Sequence, residues 1–262
     1  MPVALFGYGR FGRAFAELLQ RAGQAVRVFD PQAQVPADLA AASPEAALES
    51  ADWVVLAMPV PALESALRTL RPWLTPAHTV IDVGSVKERP CTLLDEVLGA
   101  SIPHAGTHPL FGPLSLARDE RPLRVVLCAS ARHPQAAART RTLFETLGCE
   151  VIEQDAATHD RAMAQTHALA FFIARALVEM GIGEDLRTAP PSFLGLANML
   201  AAVRGDAGHL FAAIQRDNPY AAAAREDFIA HLTAIHRRLA GGEGEALAIP
   251  ESAGEALNPS TP

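Results

Sequence analysis

Short β-type runs alternate with helical patterns over residues 1–152, and this alternation constrains the fold more than any other feature of the sequence. Six runs have the apolar character of buried strands: PVALF, AVRVF, WVVLA, TVIDV, RVVLCA and EVIE. Helical patterns separate them, at about 10–22, 61–73, 86–98 and 134–147. Strands that alternate with helices form a parallel sheet with helices on both faces. The sequence therefore predicts an α/β domain of the Rossmann type over residues 1–152.

After Glu153 the β-type runs stop, and alanine-rich helical patterns follow at about 156–180, 191–204, 207–216 and 219–240. We predict a second, all-α domain over residues 153–241, with the THD sequence at 158–160 capping its first helix. Its apolar surface is too large for one subunit to cover, which favours a homodimer. Residues 242–262 are rich in Gly, Pro and acidic residues, which predicts a flexible tail.

The composition argues against several classes of protein. A net charge of −7, with Lys and Arg scattered along the chain, argues against a nucleic acid or an anionic membrane as partner. The three cysteines lack metal-type spacing, so we expect neither a disulfide scaffold nor a metal site. Neither a secretion signal nor a long apolar run is evident. We expect a soluble, cytoplasmic protein that acts on a small molecule.

A glycine pattern follows the first predicted strand. In ALFGYGRFG, Gly7, Gly9 and Gly12 have the G-x-G-x-x-G spacing and open a helix. These glycines permit a tight turn, close approach of a pyrophosphate and close packing of helix on strand. Asp30 ends the second predicted strand, where a carboxylate accepts hydrogen bonds from ribose hydroxyls. The combination predicts a bound dinucleotide.

The predicted cofactor is NAD, because Asp30 would repel the 2′-phosphate of NADP and no arginine follows it closely. Arg10 and Arg13 are the features that favour NADP. LAMPV follows the third strand and DVGSVK the fourth, so both emerge at the carboxyl edge of the sheet, where such folds bind ligands. Five residues complete the predicted cofactor site: Arg10, Phe11, Met58, Pro59 and Gly84.

A histidine in HAGTHPLFGP is the first candidate for chemistry. Pro109 and Pro113 preclude a regular helix around it, so we predict that His108 lies in a stiff loop. Ser85 could donate a hydrogen bond to an imidazole or to a nicotinamide carboxamide, or it could cap the helix predicted at 86–98. Lys87 is either a solvated surface cation or a residue of the site.

Taken together, GYGRFG, LAMPV, DVGSVK, HPLFGP and THDRAMA resemble the prephenate and arogenate dehydrogenase family of tyrosine biosynthesis. The resemblance extends over about residues 1–240. It implies a nucleotide-binding domain joined to a helical dimerisation domain, and oxidation and decarboxylation of a cyclohexadienyl substrate with NAD or NADP. It also implies that His108 is the catalytic histidine and Ser85 its hydrogen-bonding partner.

His108 would act as a general base near its ordinary pKa of about 6.5, taking the hydroxyl proton while the carbon gives up a hydride. His104 is better explained as a histidine bonded to backbone.

The sequence departs from the resemblance at two positions in the helical half. Members of the family carry a substrate-contacting histidine where this chain has Phe171, and a carboxylate-binding arginine where it has Leu194. His167, Arg204 and Arg216 are the candidates to replace these contacts. Three residues are therefore candidates for substrate binding: His159, His167 and Asn218. Capping roles for His159 and Asn218, and a core or interface position for His167, are the alternatives.

These observations lead to three hypotheses about function. The first is an NAD-dependent prephenate dehydrogenase, with arogenate or a related cyclohexadienyl acid as the alternative substrate. The second is a dinucleotide-binding regulatory protein that has lost its substrate-anchoring residues. The third, a 3-hydroxyacid dehydrogenase, is weaker because the catalytic lysine pattern of that class is not evident in the helical half.

Overall fold

The computed structural model describes residues 1–182, 185, 187–204 and 208–241. Residues 1–221 form one compact unit, and a second unit starts at Ala222. The domain boundary predicted at 152/153 stays a prediction. The predicted tail at 242–262 lies outside the described residues.

A single seven-stranded sheet organises the first unit. Its strands are β1 (Val3–Phe6), β2 (Val26–Phe29), β3 (Trp53–Leu56), β4 (Thr79–Asp82), β5 (His104–Pro109), β6 (Leu123–Ala129) and β7 (Cys149–Glu153). The order across the sheet is β2-β1-β3-β4-β5-β6-β7, and all neighbours are parallel except β5 and β6. The carboxyl ends of β1 to β5 therefore share one edge, at which such sheets bind ligands. The predicted fold class is confirmed.

Strand β5 corrects one prediction. The segment that contains His108 is a strand, paired with β4 on one side and β6 on the other, and is not a loop. All six of its residues are buried, so polar and apolar residues do not alternate along it. Pro109 occupies the last position of the strand, where a missing amide disturbs the ladder least.

Helices connect the strands and cover both faces of the sheet. They are α1 (Arg10–Arg21), α2 (Pro44–Leu48), α3 (Val60–Leu70), α4 (Glu88–Leu98), α5 (Pro113–Ala117) and α6 (Pro134–Thr146). On one face, Phe15 of α1 packs against Phe144 of α6 with ring centroids 6.1 Å apart. On the other, Leu67 of α3 and Leu93 of α4 belong to a second apolar cluster. Two apolar clusters are what a sheet covered on both sides requires.

The chain after β7 is helical, as predicted. Its elements are α7 (Ala156–Met163), a π-helical turn (Ala164–Ala168), α8 (Leu169–Glu179), α9 (Pro191–Arg204), α10 (His209–Ala212), a second π-helical turn (Ala213–Asp217) and α11 (Ala221–Ala240). Asp155 caps α7 by accepting a hydrogen bond from the Thr158 amide at 2.9 Å, so the predicted THD cap is wrong. The helix starts before THD, which leaves its histidine and aspartate free for other contacts.

The described residues contain neither a membrane-spanning helix nor a group of side chains that could hold a metal ion. None of the helices is long and apolar enough to cross a membrane. Across the same ranges, no group of three or more His, Cys, Asp or Glu side chains is arranged to hold a metal ion.

Candidate active site

The glycine turn, residues 7–12, joins β1 to α1 at the carboxyl edge of the sheet. Gly7 has a φ of +102°, and a Cβ there would lie 2.4 Å from the carbonyl oxygen of Ala57. A Cβ on Gly12 would lie 2.2 Å from the carbonyl oxygen of Gly7. In contrast, no atom of the described residues lies within 4 Å of a Cβ built on Gly9. The turn is closely packed behind and open in front, as a pyrophosphate site must be.

The start of α1 suits an anion. Gly9 is the N-cap, no side chain caps the helix, and its first turn has no acidic residue. Amides in this position bind phosphate groups and are favoured by the helix dipole. Arg10 is exposed beside them, whereas Phe11 stacks on Phe15 with ring centroids 5.6 Å apart. The side chain of Phe11 therefore supports the helix, while its backbone lies in the first turn.

Asp30 links the end of β2 to the glycine turn. One carboxylate oxygen accepts a hydrogen bond from the Tyr8 amide at 2.6 Å, and the other accepts from the amides of Gln32 and Ala33. Partial burial opposes ionisation of Asp30, but these hydrogen bonds and the charge of Arg13 outweigh it and lower the pKa of its carboxyl. An anionic carboxylate beside the glycine turn fits the ribose of a dinucleotide.

The remaining predicted cofactor residues leave the same edge of the sheet. Met58 is half-buried after β3, and Pro59 is exposed at the start of α3. The Gly84 amide donates a hydrogen bond to Asp82 at 3.0 Å, and a Cβ on Gly84 would lie 3.9 Å from Val60. The loops after β3 and β4 are therefore close to each other, as a shared cofactor site requires.

Lys87 is completely buried, so its interpretation as a solvated cation is wrong. Its ammonium group forms an ion pair with Asp82 and donates a hydrogen bond to the carbonyl oxygen of Thr107 at 2.6 Å. A buried charge needs such a set of partners to offset its desolvation. The pair fixes the loop after β4 against β5, directly before His108.

His108 points towards the helical half of this unit. Its Nδ1 lies 2.8 Å from Nε2 of His159, and Nδ1 of His159 lies 2.7 Å from Oδ1 of Asp160. His159 and Asp160 are fully buried, and His108 is 4% exposed. Among the described residues, Nε2 of His108 has no hydrogen-bond partner. This nitrogen is the one left for a ligand.

A third imidazole completes the cluster. The His167 ring lies nearly parallel to that of His108, with centroids 6.1 Å apart, and nearly perpendicular to that of Phe171, with centroids 4.8 Å apart. His167 belongs to the π-helical turn at 164–168, a distortion that is frequent at functional sites. Within the described ranges, its side chain makes no hydrogen bond, so its ring nitrogens are also free for a ligand.

Burial makes both of these histidines weak bases. Desolvation, then electrostatic interaction with His159, Lys87 and His167, holds the pKa of His108 well below its usual 6.5. Desolvation, then His159, lowers the pKa of His167 to about 4. Both rings are therefore neutral at pH 7, and the expectation of an ordinary pKa for His108 is wrong.

Comparison with known proteins agrees with this architecture. The profile described as "Prephenate dehydrogenase, nucleotide-binding domain" matches residues 15–153. The 4-amino-4-deoxyprephenate dehydrogenase of Streptomyces pristinaespiralis is 31% identical over 94% of this chain and 87% of its own. This chain belongs to the prephenate dehydrogenase family.

Two further matches extend the comparison. The T-protein of Haemophilus influenzae is 29% identical over 76% of this chain but only 48% of its own length. The crystal structure of prephenate dehydrogenase from A. aeolicus, in complex with hydroxyphenyl propionate and NAD+, superposes with a TM-score of 0.73 at 22% identity. It covers 94% of this chain and 93% of its own, so the two folds agree over nearly their whole lengths.

Ser85 does not have the position expected of a hydrogen-bonding partner of His108. Nδ1 of His108 faces His159, and the structure shows no hydrogen bond between His108 and Ser85 among the described residues. The alternative role of Ser85 as a helix cap is wrong, because α4 starts at Glu88 and its first amides donate to Asp160. A contact of Ser85 with the cofactor or substrate stays a prediction.

Two of the three predicted substrate residues are engaged inside the protein. Both ring nitrogens of His159 are taken by His108 and Asp160. Asn218 donates to the carbonyl oxygen of Asp160 at 2.8 Å and accepts from the Tyr220 amide at 2.9 Å. Both residues therefore hold the site together from behind, and His167 alone of the three has free polar atoms.

The positions of the missing family residues are also defined. Phe171 is half-buried in the apolar clusters of the helical half, and Leu194 is 51% exposed.

His104 has the structural role expected of it, with its nitrogens 2.8 Å from the Ile102 carbonyl and from Asp95. Asp160 was not singled out from the sequence, although a carboxylate directly after a histidine in THD was the available signal.

Proposed function

We propose that this member of the prephenate dehydrogenase family is an NAD-dependent dehydrogenase that oxidises and decarboxylates prephenate to 4-hydroxyphenylpyruvate. The observation that supports this most directly is His108. It is a neutral, buried imidazole at the ligand-binding edge of the sheet, with Nδ1 bonded and Nε2 free. A general base needs this combination of free lone pair and fixed ring.

The residues divide the reaction into positioning and proton transfer. NAD would be held by the glycine turn and Asp30 and would supply the acceptor for the hydride of the ring carbon that carries the hydroxyl. Nε2 of His108 takes the hydroxyl proton as the carbonyl forms, and carbon dioxide leaves as the ring becomes aromatic. His167 lies beside His108 with free ring nitrogens, so it can hydrogen-bond the substrate in place of the histidine that Phe171 replaces.

Several observations support NAD as the cofactor. The glycine turn is open at Gly9, the start of α1 is uncapped, and Asp30 is anionic beside them. That carboxylate would repel a 2′-phosphate, which favours NAD over NADP. The A. aeolicus protein is described with NAD+ bound.

A second candidate substrate is 4-amino-4-deoxyprephenate, in which an amino group replaces the ring hydroxyl. It is favoured by the relative from S. pristinaespiralis, which is similar over nearly the whole chain. Neutral His108 and His167 accept hydrogen bonds from an amine as readily as from a hydroxyl. Arogenate, which differs from prephenate in its side chain, is the third substrate to compare.

The test is spectrophotometric NADH formation with all three substrates, each with NAD and with NADP. We expect the highest kcat/KM with prephenate, and a preference of at least about tenfold for NAD over NADP. A higher kcat/KM with the amino compound would replace prephenate by the second candidate. Nucleotide binding without reduction in any mixture would contradict catalysis and favour the regulatory protein.

We further propose that the chain forms a homodimer through its helices. Helix α11 carries a stripe of large apolar side chains, each at least 39% exposed: Ile229, Leu232, Ile235 and Leu239. Such a stripe at helical spacing is typical of a surface that a partner covers.

A further inference from the structure

We propose that Asp160 and His159 are positioning residues that fix which nitrogen of His108 carries the proton and support the charge when His108 takes up another. The inference deepens the proposed function, because it concerns the same base. It starts from an arrangement in which a carboxylate from α7 reaches one imidazole directly and a second through the first.

Asp160 is held as an anion by its surroundings. Oδ1 accepts hydrogen bonds from the Lys87 amide at 2.7 Å and from His159, and Oδ2 accepts from the Glu88 amide at 2.9 Å. A proton on either oxygen would face a donor, so the neutral acid does not fit this site. The two amides belong to the start of α4, where the helix dipole favours a negative charge. The helix cap and the orientation of His159 thus depend on one carboxylate.

The direction of each hydrogen bond follows from that anion. A carboxylate only accepts, so Nδ1 of His159 carries its proton, and Nε2 of a neutral His159 is an acceptor. His108 must then donate from Nδ1, and its Nε2 carries the free lone pair. The other tautomer of His108 would present a proton where the substrate hydroxyl must be accepted. This relay of Asp160, His159 and His108 therefore selects the tautomer of His108 that can act as a base.

Proton uptake can also pass along the relay. When Nε2 of His108 gains a proton, its Nδ1–H bond can break as a new N–H bond forms on Nε2 of His159. The positive charge then lies next to Asp160. The charged or titratable groups around His108 are Lys87 with its partner Asp82, His159 with Asp160, and His167. Of these, only the pair at 159–160 offers an anion that is connected to His108 by hydrogen bonds.

The test reads the tautomer of His108 directly in substrate-free protein labelled with nitrogen-15 histidine. The imidazole nitrogen resonances distinguish a protonated from an unprotonated nitrogen, and His108→Asn identifies the signals. We expect wild-type His108 to carry its proton on Nδ1 at pH 7. A proton on Nε2 would overturn the proposal, without any variant having to fold.

Two variants separate the functions of the relay. Asp160→Asn removes the anion, so we expect mixed tautomers of His108 and a titration midpoint lower by about one pH unit. In His159→Gln the side-chain amide oxygen of the glutamine can still accept a hydrogen bond from Nδ1 of His108. The tautomer of His108 should therefore persist, while its titration midpoint falls. This variant leaves the bonds from Asp160 to α4 intact, which protects the fold.

A matched control is another buried histidine with an aspartate partner, His104 of β5 with Asp95 of α4. His104→Gln removes the partner of Asp95, 2.8 Å away, and should leave the signals of His108 unchanged. If Asp160→Asn and His159→Gln also leave its tautomer and midpoint unchanged, the pair is structural only. Because no substrate is present, this outcome is independent of whether prephenate is turned over.

Discussion

His108 combines two properties that oppose each other in a general base. Burial keeps its imidazole unprotonated at neutral pH, but the same burial weakens its attraction for a proton. The reaction itself resolves this conflict. As the hydride leaves the ring carbon, the hydroxyl becomes part of a protonated carbonyl and turns strongly acidic, so a weak base suffices.

The first residue-scale prediction is that His108→Asn lowers kcat by roughly 10²–10⁴, the usual contribution of a general base. The Kd for NAD should stay within a few fold, because the glycine turn and Asp30 are untouched. For the wild type, imidazolium cannot accept a proton, so kcat/KM should rise with pH through the lowered pKa of His108, well below 6.5, and be flat at neutral pH. A rise of kcat/KM centred at pH 6 to 7, or a rise that persists in His108→Asn, would contradict the role of His108 as the base.

At this scale the sequence predicted a candidate base but not its environment. His108 was singled out by its motif and Asp30 by its distance after the glycines. The sequence left the role of Lys87 open and missed Asp160, because the partners of Asp160 are far away in the chain. Asp160, for example, accepts a hydrogen bond from the amide of Glu88, which lies 72 positions earlier in the chain. A charged residue gives no local sign that it will be buried with its partners.

The π-helical turn at 164–168 is the element that presents His167 to the site. Widening of the turn shifts the helical register by a fraction of a turn, which brings the ring of His167 alongside that of His108. The amide of Gln215, itself 8% exposed in the second π-helical turn, donates to the carbonyl oxygen of Ala168 at 2.7 Å. This bond satisfies a buried carbonyl at the end of the distorted turn.

We therefore predict that Gln215→Leu lowers the free energy of unfolding by about 1–3 kcal/mol, the cost of leaving a buried acceptor unpaired. It should also raise KM for the substrate by about three- to tenfold with little change in kcat, since the role proposed for His167 is to bind the substrate and not to react with it. Urea denaturation and steady-state kinetics measure the two effects. The matched control is Gln165→Leu, an exposed position on the first π-helical turn, which should change neither.

Among the elements, periodicity predicted the longer helices and six of the seven strands, and the exception is instructive. β5 consists of His, Ala, Gly, Thr and Pro, which lack both the alternation and the β-branched apolar residues of an evident strand. It becomes a strand because β4 and β6 lie on either side and satisfy its backbone. The five-residue helices α2 and α5 were too short to show a pattern.

At the scale of the whole molecule, we predict that the protein in solution has twice the 27.8 kDa mass of one chain. Ile229→Glu combined with Leu232→Glu places charges in the exposed stripe of α11 and should yield a monomer. Ala234→Glu, on the opposite side of the same helix by its 100° per residue, is the matched control and should leave the dimer intact. Light scattering at micromolar concentration decides between them, and a wild-type monomer would refute the homodimer.

The positions of His159 and Asp160 limit which helices could be joined to this sheet by recombination. His108 lies on the sheet, whereas its two supporting residues lie on the first helix after the sheet, and their carboxylate also holds the start of α4. A recombination event that joined this sheet to the helices of another family member would transmit a correctly protonated base only if those helices brought a histidine and an aspartate in the same order. The gene for the nucleotide-binding half is therefore not freely exchangeable. A chimaera would be active only if its helices supplied the equivalents of His159 and Asp160, although the polar atoms of both side chains are engaged inside the protein.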